Sequence, residues 1–200
     1  VDAIYNATTA FKAIPPRKYT KPSGKHKGDS PQVVIAPLSD THIGERVDYN
    51  QMAGLNTYSF DLFNKRLSGW ATTVLNLVEL RRASVPIDEL IIPMLGDMIS
   101  GDIHDELIKT NQDNVMGQMI RGASLIAQAI LYLAPHFKTI TIPCVVGNHG
   151  RMTRKPPMKD KYMDWDYLLY QWVAAFCKNQ KNITFNIKTS YMDIFHVFDK

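Results

Sequence analysis

An α/β domain is predicted, built on a layered, mostly parallel or mixed β-sheet flanked by helices. Two observations predict it. Short apolar runs of strand length alternate with longer segments of helical period, and the first three runs each end in polar residues beside a glycine. Strands separated by long helices need crossover connections, which favour parallel neighbours with helices packed on the sheet. With 200 residues and 45% hydrophobic content the chain can bury one substantial core, so one domain is the natural count.

Residues 1–31 precede the pattern. Positions 15–31, PPRKYTKPSGKHKGDSP, hold four prolines, two glycines and five basic side chains with little to bury. They read as a flexible basic lead-in to a domain over 32–200. Val33 to Leu38 is the first strand. Phe60, Phe63, Leu67, Trp70, Val74 and Leu77 then recur at three- and four-residue steps, the spacing of one helix face. ELIIPML (89–95) is the second strand, and Val115, Met119, Ala123, Ile126, Ile130 and Leu133 mark the second helix face. TITIPCVV (139–146) is the third strand and YMDWDYLLYQWVAAFCKN (162–179) the third helix. ITFNI (183–187) and YMDIFHVF (191–198) close the chain as a strand pair, with His196 on a strand face or in the core. Pro93 and Pro143 fall inside two strands; proline donates no ladder hydrogen bond, so irregular or edge positions are expected there.

Composition excludes several classes. No apolar run is long enough to span a bilayer, and the first residues lack the charged, apolar and small-residue regions of a signal peptide. The chain opens on Val1 rather than Met, which leads us to expect a piece of a longer protein. Cys144 and Cys177 are isolated, so neither a disulfide framework nor a CxxC zinc site is indicated; a reducing, cytoplasmic setting is expected. The net charge of +4 is unevenly spread. Residues 1–31 carry six basic groups against two acidic, residues 32–150 eight against twelve, and residues 151–161 five against one. An acidic middle lies between two basic stretches.

Chemistry gathers at the three strand ends. VVIAPLSDTHIG delivers Asp40 and His42, LGDMISGD delivers Asp97 after Gly96, and VVGNHG delivers Asn148 and His149 after Gly147. Ligands of open α/β sheets bind outside the carboxyl ends of the strands, so these loops are expected to share one crevice. Oxygen and imidazole donors without thiolate suit Mn²⁺, Fe or Zn²⁺, and a cation would relieve the repulsion between neighbouring carboxylates.

The order D-x-H, G-D, G-N-H at successive strand ends resembles the calcineurin-like metallophosphoesterases over about residues 32–150. The resemblance implies a metallophosphoesterase-like fold and two divalent metal ions, Mn²⁺ foremost. Asp40 and His42 would bind one ion, Asp97 would bridge to a second, and Asn148 would bind that second ion. His149 would contact the scissile phosphate, stabilise the transition state and protonate the leaving group. A hydroxide held by the ions would attack phosphorus in line with the leaving group, with no covalent enzyme intermediate.

The chain departs from the family pattern in two respects. A further histidine and a Gly-His-x-His block are expected after His149, yet only His196 follows; the domain is read as incomplete at its C-terminus, with part of the metal site missing. Gly150 stands where many members carry an acid that pairs with the preceding histidine. SGDIHDEL (100–107) offers Asp102, His104, Asp105 and Glu106 near Asp97, with His104 a candidate substrate contact or partner of His149.

Arg151, Arg154, Lys155, Lys159 and Lys161 follow the third block and would draw a polyanion to the site. Arg151, Arg154 and Lys155 are the candidate substrate contacts. A phosphodiester of DNA or RNA is therefore the leading substrate. A phosphomonoester and a cyclic nucleotide are the alternatives, as is a metallophosphoesterase-like module that binds nucleic acid or protein without catalysis. No membrane partner is expected.

Overall fold

The fold is described from a computed structural model, covering residues 18–19, 30–155, 161–190 and 192–198. Strand β1 (Gln32–Ile35) leads through a long loop to helix α1 (Phe60–Arg82), then β2 (Ile87–Ile91). A short helix α2 (Asp105–Thr110) and helix α3 (Val115–Leu133) precede β3 (Thr139–Cys144), and helix α4 (Trp165–Cys177) leads to β4 (Ile183–Ile187). The strands form one sheet in the order β1-β2-β3-β4, with every neighbouring pair parallel. The α/β expectation holds, and the sheet is parallel rather than mixed among the described residues.

Side-chain caps start the long helices. The Ser59 hydroxyl accepts from Leu62 N–H at 3.2 Å, Asn114 accepts from Gly117 N–H at 2.9 Å, and Asp164 accepts from Asp166 N–H at 2.9 Å. Each satisfies an N–H that the first turn leaves without a helical partner. All six predicted positions of α3 are buried. On α1 the stripe differs from the prediction: Phe63, Leu67, Ala71, Leu75 and Val78 are buried, whereas Leu77 is 61% exposed. The packed face follows four-residue steps through small Ala71, which lets α3 approach there; Trp70 and Val74 flank it, and Leu77 falls outside it.

Strand order and chain order coincide, so right-handed crossovers place successive helices on one face of the sheet. The side chains agree. Leu90, Ile92, Ile140, Ile142 and Cys144 join the helices in one apolar core, with Val34, Ile183 and Phe185 packed against it. Alternation sends Val33, Ile35, Glu89, Thr139, Thr141 and Thr184 to the opposite face.

Proline shapes two strands. β2 ends at Ile91, before Pro93. Pro143 lies within central β3, not at an edge; its carbonyl accepts from Met94 N–H at 2.9 Å, but it can return no N–H bond. The β2–β3 ladder accordingly stops at Ile91↔Thr141 and resumes only as a bridge between Met94 and Cys144.

The expected last strand is absent from 192–198. The stretch is irregular instead, with Ser190 Oγ donating to the Met192 carbonyl and Lys188 paired with Asp193 at 3.6 Å. His196 is exposed rather than in a core. Met192 and Ile194 are 71% and 77% exposed, because alternating apolar residues make a strand only when an edge pairs with them. Most of the lead-in lies outside the described residues. Tyr19, which is described, donates its hydroxyl to Asp88 of β2 at 2.8 Å.

Candidate metal centre

The chain keeps a parallel ladder beyond the ends of β1 and β2. Asp40 N–H donates to Gly96 O and His42 N–H to Asp97 O, both at 3.1 Å, and Ile43 N–H donates to Met98 O at 2.9 Å. Two loops far apart in sequence therefore run side by side, and their polar residues face the same space. One ligand atom from each of Asp40, His42 and Asp97 lies within 4.8 Å of the others. Asp40 is exposed and the other two are half-buried, so the group opens to solvent.

All three residues have left-handed backbones, with φ of 51° at Asp40, 39° at His42 and 50° at Asp97. Such a conformation costs roughly 1–3 kcal/mol per non-glycine residue and persists only where the surroundings impose it. The inter-loop hydrogen bonds impose it here. Apolar packing would gain nothing from three strained polar residues; a cation would gain three donors.

The third strand end is joined to the other two through Asp97. Its Oδ1 accepts the backbone N–H groups of Asn148 and His149, each at 2.7 Å. This fixes the carboxylate and leaves Oδ2 outside those bonds. Gly96 and Gly147 allow the approach: a Cβ on Gly96 would collide with the backbone of Gly147, and one on Gly147 would fall on Asp97 Oδ1. Asn148 is exposed, with its backbone N–H held by Asp97.

His149 sits beside His42, their rings edge to face with centroids 4.5 Å apart. Its Nδ1 is 3.0 Å from the carbonyl of Ser100. A carbonyl only accepts, so an Nδ1–H donates to it, and Nε2 lies on the opposite side of the ring from that bond. Ser100, in the 100–107 loop, thus orients the ring without a carboxylate at position 150. Position 150 has no room for one, since a Cβ on Gly150 would meet Asp164 Oδ1. His104 stands edge to face with His149, ring centroids 5.9 Å apart, while the hydrogen bond at His149 Nδ1 goes to Ser100 of the same loop.

The basic stretch divides. Arg151 donates from Nε to the Asn148 carbonyl at 2.8 Å, Arg154 forms an exposed ion pair with Asp105, and Lys155 is exposed. The guanidinium holds the Asp105 carboxyl below its usual range. Lys161 differs from the expectation of an exposed basic cluster: it is buried, its charge acts on Asp164, and its backbone N–H donates to Thr189 O at 2.8 Å. Lys159 lies outside the described residues.

Several supporting residues went unrecognised in the sequence. Asp166, fully buried at the start of α4, accepts from Asp97 N–H at 2.8 Å and from Met98 and Gly147 N–H at 3.1 Å. Burial pushes its carboxyl up to about 6, against the three backbone bonds that pull it down. Tyr170, one turn on, accepts from Gly96 N–H at 3.1 Å and donates to Val145 O at 2.9 Å. The available signal was two aspartates opening an otherwise apolar helix in DWDYLLY.

No protein-family model matches the chain, and no curated protein or solved structure matches it. No helix among the described residues is long and apolar enough to cross a membrane.

Proposed function

We propose that this chain is a metal-dependent phosphoesterase domain acting on phosphodiesters, with DNA or RNA as the leading substrate. The observation that carries the reading is the meeting of Asp40, His42 and Asp97 within 4.8 Å, with Asn148 and His149 bonded onto the same Asp97 carboxylate. The donor set is hard oxygen plus imidazole, which fits Mn²⁺, Fe or Zn²⁺. Asp40, His42 and Asp97 would hold one divalent ion, and Asp97 with Asn148 a second.

Divalent cations at such a centre supply Lewis acidity to phosphoryl oxygens and make a nucleophile available from water at neutral pH. The protein's own residues do the rest. Asp97, clamped at Oδ1, keeps its second oxygen in a fixed direction and loses little entropy on ligation. His149, held at Nδ1 by Ser100, presents Nε2 to the leaving-group oxygen and can carry a proton there. Arg151, bonded to the Asn148 carbonyl, and exposed Lys155 would attract the phosphate backbone, and the exposed Arg154–Asp105 pair can exchange its carboxylate for a phosphate at little cost.

Calorimetric titration with Mn²⁺ tests the centre. The parent chain should bind, and Asp97→Asn should lose most of that affinity; equal binding by both would end the metal reading. Hydrolysis of bis(p-nitrophenyl) phosphate against p-nitrophenyl phosphate, with Mn²⁺ present, tests the substrate class. Faster turnover of the monoester would displace the phosphodiester reading.

A further inference from the structure

A crossover helix normally meets its sheet with apolar side chains, and burying a carboxylate is costly unless its oxygens are satisfied. α4 nevertheless places Asp166 at zero exposure, with Oδ2 accepting from Asp97 and Gly147 N–H and Oδ1 from Met98 N–H. The three donors belong to the loops after β2 and β3, which carry Asp97, Asn148 and His149. No other described side chain receives N–H donors from both loops. Asp97 Oδ1 accepts from Asn148 and His149 alone, both of the loop after β3.

The contacts form a sequence. Asp166 fixes the backbone of Asp97 at its positive φ and sets Gly147 against Gly96. Asp97 Oδ1, so placed, collects Asn148 and His149. Tyr170, on the same face of α4 one turn later, ties Gly96 to Val145. A purely structural role would need only apolar contact, as Leu169 and Val173 make elsewhere on this helix.

We propose that Asp166 is a positioning residue for the metal centre, setting the backbone of the Asp97 and Gly147 turns so that the ligands they carry converge. This rests on the metal-centre reading above.

The test uses the full chain, its Asp166→Asn form and a Val173→Ala control on the same helix. Backbone amide NMR of the metal-free proteins is read beside Mn²⁺ calorimetry and thermal melts. In the parent, the amide protons of Asp97, Met98 and Gly147 should resonate downfield, as donors to a carboxylate do. In Asp166→Asn these three should move upfield selectively, and Mn²⁺ affinity should fall about 10–100-fold, the usual cost of losing an outer support of a metal ligand. Val173→Ala should lower the melting temperature and leave Mn²⁺ affinity near the parent's.

Unchanged affinity in Asp166→Asn, or equal weakening by Val173→Ala, would overturn the assignment. So would the absence of downfield shifts in the parent, which needs no variant to fold. A parent that binds no Mn²⁺ would end the metal reading separately, with the amide shifts still judging whether Asp166 sets the turns.

Discussion

Asp164 shows what the site costs the fold. It is buried, and its Oδ2 has no hydrogen-bond partner among the described residues. Burial, then the neighbouring Asp166 and Asp97, push its carboxyl from 3.8 up to about 7, while the Asp166 N–H and Lys161 oppose the shift. Because the folded pKa lies above the unfolded one, the stabilisation from holding this proton is complete below about pH 4 and is lost as pH rises through 7. Asp166 adds in the same direction. Metal-free protein should therefore melt several degrees lower at pH 8 than at pH 5, and Asp164→Asn should flatten that slope in thermal melts with EDTA. An unchanged slope would contradict the assignment. The residues at the strand ends could be read from sequence because each offers a ligand beside a glycine. Asp164 and Asp166 could not, since an aspartate opening a helix is ordinarily a solvent-facing cap; their burial follows from the return of α4 over the loops.

Helices and strands were largely readable, for period is a local property. α3 shows it best, with every predicted core position inside. α1 was placed correctly but turned about its axis: Phe63, Leu67, Ala71 and Leu75 make the face, and small Ala71 carries no apolar signal of its own. Leu67→Ala should cost about 2–5 kcal/mol in denaturant unfolding through the cavity left behind. Leu77→Ala, at an exposed position, should stay within about 0.5 kcal/mol of the parent. Equal losses at both would return the packed face to the predicted stripe. The failed strand at 191–198 has the opposite cause. Pairing is a property of two segments, and one segment's alternation does not state whether a partner edge exists.

At the level of the assembled domain, α/β architecture and parallel strands followed from alternation and crossover rules, but the strictly sequential strand order did not. That order places the helices together and puts Cys144 and Cys177 in the core beneath them. Both thiols are buried, and burial alone pushes Cys177 up to about 12. Neither presents a thiolate near neutral pH, so labelling by a disulfide reagent should be slow in the native protein and accelerate in step with global unfolding as denaturant is added. Fast labelling of either thiol without denaturant would show that α4 opens locally.

The bond from Asp97 to Asp166 joins residues 69 apart, whereas each βαβ unit closes between neighbours in the chain. Strand pairing can accumulate unit by unit during refolding, yet the turns at Asp97 and Gly147 gain their bonds to Asp166 only when the last crossover helix docks. Acquisition of Mn²⁺ affinity should therefore lag behind the recovery of secondary structure, making the ion a reporter of the final step in folding rather than a template for its beginning.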